Sequence, residues 1–311
     1  MKDGLVTLFG GGGFLGRYVA QALLSAGARV RIAQRDPRAA WFLKPLGGLG
    51  QTQFVAADVT RPDSVARALA GSDAVVNLVG ILKGKFDAIH VQGAENVAKA
   101  AAAAGVESLV HLSAIGASPE SPSAYGRSKG EGEARVRSAF PQATILRPSV
   151  VFGPEDQFVN RFAGLIRDLP VVPLIGGQSK VQPVFAGDVS RAVAAALADP
   201  ENHAGRIYEL AGPEVFDLAE LNRRIAGWVD HKRSFAAVPD SLAGLLAGLT
   251  GWLPGAPITA DQWRMIQQGS VAQAGTAGLE ALGIAPTPLG AVAPNWLVQY
   301  RRHGRFAAHT A

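Results

Sequence analysis

The feature that most constrains the fold of this chain is a glycine-rich turn close to its N-terminus. Val6 to Phe9 predicts a buried strand, Gly10 to Gly13 a turn, and Phe14 to Ala26 an amphipathic helix. Backbone N–H groups at the N-terminus of a helix attract phosphate, and glycine lets a phosphate come close to the backbone. The pattern therefore predicts a turn that binds the pyrophosphate of a dinucleotide, with a vestigial turn on the same fold as the alternative.

Each glycine of the turn has its own expected role. Gly10 makes the tight turn, Gly13 allows the pyrophosphate to approach, and Gly16 allows the helix to pack closely on the strand. The residues predicted to contact the dinucleotide here are Gly10, Gly12, Gly13, Phe14, Leu15 and Gly16.

Strands and helices alternate through the first half of the chain. Further strands are expected at Ala28–Ala33, Phe54–Val59, Asp73–Gly80 and Ser108–Ser113, with helices at Ser64–Ala70 and Ala88–Ala104. This alternation predicts an α/β fold with a Rossmann-type, doubly wound parallel sheet and a smaller C-terminal lobe. We expect residues 1–150 to form the dinucleotide-binding core, to which elements near 181–212 return, and residues 151–311 to form most of a substrate or partner lobe.

Composition is that of a globular enzyme-like protein. Hydrophobic residues make up 48% of the chain and charged residues 18%, which is enough for a sizeable core. Because the chain has no cysteine, disulfides, thiolate metal sites and cysteine nucleophiles are excluded, and no metal site is predicted. The net charge of +5 is modest, and the absence of a basic block with interleaved aromatic residues argues against nucleic-acid binding. No signal peptide or transmembrane segment is predicted.

A second chemical signal is the pair Tyr125 and Lys129. Residues four apart lie on one face of a helix, so a phenol and an ammonium group would stand side by side. A nearby cation lowers the pKa of a phenol and lets it act as an acid or base, and the same lysine can bind a ribose. The alternative is a surface tyrosine beside a solvated lysine.

These motifs together resemble the extended or atypical short-chain dehydrogenases/reductases, which include the NAD-dependent epimerases/dehydratases. The glycine turn, Asp58, Asn77 to Gly80 and the Tyr125/Lys129 pair carry the resemblance, which covers about residues 4 to 215. Two later stretches are also similar to signatures of that superfamily, at 147–154 (Arg-Pro-Ser-Val-Val-Phe-Gly-Pro) and 181–189 (Val-Gln-Pro-Val-Phe-Ala-Gly-Asp-Val).

One branch of the superfamily looks closest, the nucleotide-binding accessory subunit of respiratory complex I and its bacterial relatives. The stretches that suggest it are Phe9 to Tyr18, Asn77 to Leu82, Leu112 to Ala117 and Pro257 to Gln262. The resemblance implies tight NADPH binding, which in this branch often goes without established turnover.

The superfamily also implies roles for individual residues. Tyr125, Lys129 and Ser113 would be catalytic, although Ser113 lies one residue early and Ala114 stands at the usual catalytic place. His90 replaces an asparagine common in extended members and is expected to be structural or to line the cofactor pocket. Further cofactor contacts are expected from Asp58, Val59, Leu78, Val79, Gly80, Tyr125, Lys129 and Pro148.

The preferred cofactor is predicted from the end of the second strand. NAD-binding members carry an acidic side chain there that bonds the ribose 2′-hydroxyl. This chain has Gln34 followed by Arg35, and a guanidinium suits a 2′-phosphate. NADP(H) is therefore predicted over NAD(H), with Asp36 as a displaced acidic residue in the alternative.

The second half of the chain is less informative about chemistry. Phe152, Gln157, Arg161 and Gln182 are candidates to line a substrate pocket, without naming a substrate. The apolar stretch Leu242 to Leu253 is too short to span a bilayer. It is interpreted either as a helix packed on its own lobe or as a docking surface for another helix or a membrane-associated assembly.

Three functions remain open from the sequence. The first is an NADP(H)-bound accessory or assembly factor of complex I. For this protein we expect a cytoplasmic location, with a peripheral position at the inner face of the cytoplasmic membrane as the alternative. The second is an active reductase, epimerase or dehydratase acting on a small carbonyl or sugar-nucleotide substrate. The third is a regulator that senses NADPH without turnover.

Overall fold

The computed structural model describes residues 3–250, 258–302 and 304–306. These residues form two compact units. Unit 1 contains residues 1–148, 186–210 and 273–285, and unit 2 contains residues 149–185, 211–272 and 286–311.

The strands and helices follow each other along the chain with short connections. The strands are β1 (Leu5–Phe9), β2 (Arg29–Gln34), β3 (Thr52–Ala56), β4 (Ala74–Asn77), β5 (Ser108–Leu112), β6 (Thr144–Pro148), β7 (Val151–Phe152), β8 (Val171–Ile175), β9 (Lys180–Val181), β10 (Val184–Phe185), β11 (Ile207–Leu210), β12 (Phe216–Asp217) and β13 (Ser234–Val238). The helices are α1 (Phe14–Ser25), α2 (Pro62–Leu69), α3 (Gly93–Ala103), α4 (Ala124–Ala139), α5 (Val159–Asp168), α6 (Ala186–Ala198), α7 (Pro200–His203), α8 (Leu218–Trp228), α9 (Asp240–Thr250), α10 (Ala260–Gln268) and α11 (Leu289–Leu297).

Unit 1 is built on a seven-stranded parallel sheet with the order β11-β6-β5-β4-β1-β2-β3. Both faces of this sheet are covered, since Leu8 and Phe9, neighbours on opposite faces of β1, are both buried. Helices α2, α3 and α4 contribute to one hydrophobic cluster with β1, β4 and β5, while α1 and α6 pack together. The predicted Rossmann-type fold is confirmed.

The strand order reverses between β1 and β4. In open parallel sheets ligands bind at the carboxyl ends of the strands where this reversal occurs. Here the glycine turn follows β1 and the stretch Leu78–Gly80 follows β4. The register pairs Phe9 with Asn77, so both segments leave the sheet at the same level.

Several element boundaries differ from the sequence-based expectation, two of them after β3 and at the start of α3. The third strand ends at Ala56, so Asp58 lies in the loop beyond it, where its carboxylate accepts from the Thr60 N–H. The helix expected from Ala88 begins instead as a π-helical turn over Asp87–Gln92 and becomes α-helical at Gly93. Gly93 lets the turn pack on β3's loop, because an added Cβ would lie 2.8 Å from the Val59 side chain.

Unit 2 packs helices around three short strand pairs, β7 with β10, β8 with β13 and β9 with β12. Its main hydrophobic cluster includes Phe152, Phe216 and Leu221, together with residues of α5 and α11. A smaller cluster joins α9 to α10 through Ala243, Ala247 and Trp263.

Helix α9 contains most of the described part of the apolar stretch predicted at Leu242–Leu253; residues 251–253 lie outside the described residues. Its alanines are buried, whereas Leu242, Leu245 and Leu249 are exposed. Since these leucines are three and four residues apart, they form one stripe along the helix. Among the described residues, no helix is long and apolar enough to cross a membrane.

Candidate functional site

The turn after β1 has the geometry that its glycines predict. Gly10 adopts φ +79°, a left-handed conformation that glycine reaches without strain, and its N–H donates to the Ala33 carbonyl of β2 at 3.0 Å. A Cβ added to Gly10 would lie 3.3 Å from the Val79 side chain, so the turn directly adjoins the loop after β4.

The other two glycines of the motif differ in what surrounds them. A Cβ on Gly16 would lie 2.6 Å from the Gly10 carbonyl oxygen and would also collide with that of Gly11. A Cβ on Gly13 would approach only the Gly10 carbonyl oxygen, at 3.2 Å. Gly16 is therefore required by the packing of α1, whereas a side chain at Gly13 would meet one tight contact, with the Gly10 carbonyl oxygen.

The N-terminus of α1 suits an anion. Gly13 is its N-cap and supplies no side-chain cap, and the first turn carries no acidic residue. The first N–H groups of a helix have no partner within the helix, and the helix dipole favours negative charge there. Because Gly13 has no side chain to fill the space in front of these N–H groups, the N-terminus of α1 fits a pyrophosphate.

At the end of β2, Gln34 holds the glycine turn. Its side-chain oxygen accepts from the Gly12 N–H at 3.0 Å, and its side-chain nitrogen donates to the Asp36 carbonyl at 2.6 Å. The Asp36 carboxylate in turn accepts from the Arg38 N–H at 3.0 Å. Arg35 lies exposed between them.

After β3, Asp58 is held by Thr60, whose N–H and hydroxyl both donate to its carboxylate. These bonds, above all the one from the Thr60 backbone, lower the pKa of Asp58, and the charges of Arg35 and Arg61 lower it further. The side chain of Val59 is buried in the core, and its carbonyl accepts from the Asn96 side chain at 2.9 Å. Only a small part of Val59 is therefore exposed to solvent.

Tyr125 and Lys129 lie one turn apart in the first half of α4, as the spacing predicts. The Lys129 ammonium is buried and donates to the Leu112 carbonyl at the end of β5 at 2.9 Å. A Cβ added to Gly80 would lie 3.6 Å from the Lys129 nitrogen, so this lysine reaches the loop after β4. The sheet therefore brings Gly80, Lys129 and the end of β5 together.

The expectation that Lys129 lowers the pKa of Tyr125 is wrong for this geometry. Burial raises the pKa of the Tyr125 phenol to about 12. Burial also lowers the pKa of Lys129 to about 8, a change that the carboxylate of Glu133 opposes. A lysine that is only partly protonated above neutral pH, and that already bonds Leu112, is a weak activator of the phenol.

His90 connects the loop after β4 to α4. Its Nε2 accepts from the Ile81 N–H at 3.0 Å, so in the neutral ring the proton lies on Nδ1. Nδ1 lies 2.8 Å from the Ser128 hydroxyl, which donates to the Tyr125 carbonyl at 2.8 Å. Burial, assisted by the charge of Lys129, lowers the pKa of His90 to about 3. His90 therefore acts as a neutral, oriented support rather than as a base.

The same ring also positions Tyr125 directly. The Tyr125 ring meets the His90 ring edge to face with centroids 5.5 Å apart, and Phe86 stacks on His90 at 5.4 Å. The Phe86 and Tyr125 rings also meet edge to face at 6.1 Å, so the three rings form one aromatic cluster. Sequence reasoning predicted that His90 is structural or lines the cofactor pocket, but it missed this arrangement, because Phe86, Ile81 and Ser128 carry no motif.

Two further polar side chains are buried at this end of the sheet, that of His111 in β5 and that of Ser113 directly after it. His111 Nδ1 lies 3.2 Å from the side-chain amide of Asn77, while neither His111 Nε2 nor the Ser113 hydroxyl has a hydrogen-bond partner. Burial lowers the pKa of His111 to about 3, with help from the charge of Lys129. The Ser113 hydroxyl is thus enclosed at the expected end of the strand, and Ala114 beside it is partly exposed.

A largely buried ion-pair network joins α4 to the strands β6 and β11. Arg147 donates to both carboxylate oxygens of Glu133, at 2.9 and 2.6 Å, and also lies 3.8 Å from Glu209 of β11. Glu209 also accepts from the Gln273 N–H at 2.8 Å. The Arg-Pro signature at 147–148 therefore serves to hold the helix that carries Tyr125 and Lys129, while Pro148 itself is buried and its carbonyl accepts from the Ile115 N–H.

The pocket residues expected in the second half are not brought together as a polar constellation. Phe152 is fully buried in the core of unit 2. Gln182 bonds the Gly212 carbonyl at 2.7 Å and the Ala272 N–H at 3.1 Å, so its side chain holds loops together. Gln157 and Arg161 are exposed. Helical and strand patterns showed where these residues lie along the chain but carried no signal of such tertiary bonds.

The chain matches a known family over most of unit 1. The model of the NAD dependent epimerase/dehydratase family matches residues 6–211. The chain belongs to this family. The resemblance stated from the motifs is thereby confirmed.

Two relatives cover nearly the whole chain. The "NADH dehydrogenase [ubiquinone] 1 alpha subcomplex subunit 9, mitochondrial" of Mus musculus is 37% identical over 297 residues, which span 92% of this chain and 77% of that protein. The "NADH-ubiquinone oxidoreductase 40 kDa subunit, mitochondrial" of Neurospora crassa is 30% identical over 307 residues, spanning 96% and 80%. A ceramide reductase of Caulobacter vibrioides is 31% identical over 202 residues, spanning 63% and 62%.

Solved structures confirm the fold. An NADPH-dependent quinone oxidoreductase of Escherichia coli in complex with NADPH superposes with a TM-score of 0.76 at 20% identity, covering 94% of this chain and 99% of that one. The Citrobacter sp. triphenylmethane reductase in complex with NADP(H) has a TM-score of 0.76 at 21% identity, with the same coverage.

Proposed function

We propose that this protein binds NADP(H) and serves as an accessory or assembly factor of complex I. The cofactor assignment rests on the hydrogen bonds at the end of β2. There the Gln34 side chain bonds two backbone groups, and the Asp36 carboxylate accepts from the Arg38 N–H. Gln34 therefore presents no carboxylate to a ribose hydroxyl, and one oxygen of Asp36 caps the first turn of the next helix instead. The exposed guanidinium of Arg35 is well suited to bond a 2′-phosphate.

The remaining contacts follow from the geometry of the sheet edge. In this proposal the N-terminus of α1 binds the pyrophosphate beside Gly13, and Asp58 and Val59 contact the adenine. Leu78 to Gly80 lies on the other side of the β1–β4 reversal, towards Lys129, so the nicotinamide end extends there.

The cofactor assignment is tested by calorimetry with NADPH and NADH. Arg35→Ala should weaken NADPH binding by about 1–3 kcal/mol, the range for a lost charge-assisted hydrogen bond, and leave NADH binding nearly unchanged. Arg38→Ala, an exposed cation three residues further on, is the matched control and should change neither affinity. Tighter binding of NADH than of NADPH by the unmodified protein would overturn the assignment.

At the nicotinamide end, the residues of α4 have chemical roles in the proposal. A bound nicotinamide supplies or accepts a hydride. Lys129 is placed to bond a ribose hydroxyl, and Tyr125 to hold a proton close to a substrate. With its pKa raised to about 12, the Tyr125 phenol stays protonated at neutral pH and is a poor base. This combination favours a bound dinucleotide with little turnover.

An active reductase is the second candidate, favoured by the retained Tyr125 and Lys129 pair on α4. Turnover of a carbonyl substrate with NADPH, abolished in Tyr125→Phe while NADPH affinity stays within a few-fold, would establish it. Activity that survives this substitution would remove Tyr125 from the mechanism.

The partner assignment draws on the similarity to mitochondrial NADH dehydrogenase subunits and on the leucine stripe of α9. Ala243 and Ala247 already fix one side of α9 against Trp263, so the exposed Leu242 and Leu245 are available to a partner. We place the protein in the cytoplasm, peripheral to the inner face of the membrane that carries the complex.

Docking is tested with Leu245→Asp, since Leu245 is exposed and its replacement need not disturb the core. The unmodified protein should co-purify with complex I subunits from its native host, and the variant should lose them while keeping its melting temperature and NADPH affinity. Ala243→Asp is the contrasting change, because it should unfold the α9–α10 cluster. If the unmodified protein never co-purifies with complex I subunits, the partner assignment fails and the reductase takes its place.

A further inference from the structure

A second exposed apolar surface lies on unit 1, just after the end of β2. Trp41 is 48% and Phe42 46% exposed, Leu46 is exposed and Leu49 is fully exposed. All four lie within nine consecutive residues. We call this set, Trp41, Phe42, Leu46 and Leu49, the Trp41–Leu49 surface.

The segment that carries this surface is anchored to the core. Ala40 and Leu43 are buried, so the 3-10 helix Pro37–Leu46 is fixed on its inner side. The Asp36 carboxylate caps its first turn through the Arg38 N–H. The exposed rings are therefore held outward by a folded element, and their exposure is a property of the fold rather than of a loose loop.

Cations surround the two rings. The Lys44 ammonium lies 4.0 Å from the centroid of the Trp41 ring, and the Arg17 guanidinium lies 4.8 Å from that of Phe42. Side chains three apart eclipse in a 3-10 helix, which brings Lys44 over Trp41. Apart from Arg35, which the proposed cofactor uses, residues 36–50 carry Arg38 and Lys44 against the single carboxylate of Asp36, and Arg17 adds a further cation beside Phe42.

The end of the segment projects a single leucine. Leu49 lies between Gly48 and Gly50, and a Cβ added at Gly50, which has φ +78°, would meet no atom within 4 Å. An isolated exposed leucine on a glycine turn buries nothing in the protein itself. Its apolar surface is removed from water only if another molecule covers it.

We propose that the Trp41–Leu49 surface docks on an anionic lipid bilayer. Aromatic rings suit the interface between headgroups and acyl chains, and a leucine on a turn can enter the acyl boundary. Cations with long stems lie along apolar surface and keep their charge at the headgroup level. The excess of cations complements anionic headgroups, whereas a protein partner would require a matching acidic face.

This inference is separate from the proposed cofactor and from the α9 leucine stripe. Its test uses the full chain and sedimentation with vesicles of phosphatidylcholine alone or mixed with an equal part of phosphatidylglycerol. The protein should sediment with the anionic vesicles, and raising the salt concentration should release it. Leu49→Ser and Trp41→Ser should each lower vesicle affinity by about tenfold.

The matched control is Leu245→Ser on α9, which removes an exposed leucine from another surface. It should leave vesicle binding unchanged. Lys44→Gln should lower binding to anionic vesicles only. NADPH affinity, measured on the same samples, checks the fold of the variants and reports separately on the proposed cofactor.

Three results would overturn the proposal. One is a failure of the unmodified protein to sediment with anionic vesicles. Another is equal binding to both vesicle types, since the cations would then contribute nothing. The third is a loss of binding to detergent-solubilised complex I, with vesicle binding unchanged, in Leu49→Ser; this would assign the surface to a protein partner.

Discussion

The glycine turn after β1 and the polar cluster around α4 lie at the same edge of the sheet but are built in different ways. The turn consists of backbone from one short stretch of chain, adjusted by the absence of side chains at Gly10, Gly13 and Gly16. The cluster consists of side chains from β4, β5, β6, α4 and the turn that carries His90, joined by separate hydrogen bonds between these elements. A local feature of this kind is visible in a sequence, whereas a network assembled across the fold is not.

The largest effect expected in the turn separates its two kinds of glycine. Gly16→Val should prevent folding or cost at least about 4 kcal/mol, because its side chain would meet the carbonyl oxygens of Gly10 and Gly11. Gly13→Val should leave stability within about 1 kcal/mol, since Gly13 has an extended backbone that any residue adopts. It should nevertheless abolish dinucleotide binding. Thermal unfolding and calorimetry on both variants decide this, and a Gly13→Val protein that binds NADPH normally would contradict the assigned role.

In the α4 cluster the largest effect should come from Arg147. Arg147→Met leaves the carboxylates of Glu133 and Glu209 buried without their partner, which should cost about 3–5 kcal/mol in urea unfolding. Lys99→Met removes an exposed pair with Glu95 on α3 and serves as the control, at no more than about 0.5 kcal/mol. Similar losses in the two variants would mean that the network does not hold α4.

A smaller effect, dependent on pH, should come from the histidines of the cluster. The pKa of His90 and of His111 is lowered to about 3, so each binds a proton more readily in the unfolded chain. Stability should therefore fall as the pH drops below about 6.5, by up to about 1.4 kcal/mol per pH unit for each histidine.

The range from pH 6.5 to about 4.5 isolates this effect, because most carboxyl groups remain ionised there. His90→Asn should make the slope of unfolding free energy against pH shallower by one proton. An unchanged slope in this variant would show that His90 is not buried in its neutral form.

The glycine turn, the parallel sheet and the spacing of Tyr125 and Lys129 were predictable, because each depends on a period or motif within a few residues. The direction of the Tyr125 pKa shift was not. That shift depends on the burial of Tyr125 and on the hydrogen bond from Lys129 to the Leu112 carbonyl, and neither has a local signature in the sequence. Gln34 shows the same limit, since its neutral charge was evident but its bond to Gly12 was not.

Gln34 also restricts how this site can evolve. Its amide nitrogen donates to the Asp36 carbonyl at 2.6 Å, so a glutamate in its place would set two oxygens against each other. Glutamate is one of the acidic residues that NAD-binding Rossmann proteins use at this position. One side chain thus contributes both to coenzyme choice and to the shape of the phosphate turn. A lineage that changes coenzyme by that substitution must therefore also rebuild the chain at Asp36, and the two changes become a coupled pair rather than independent steps.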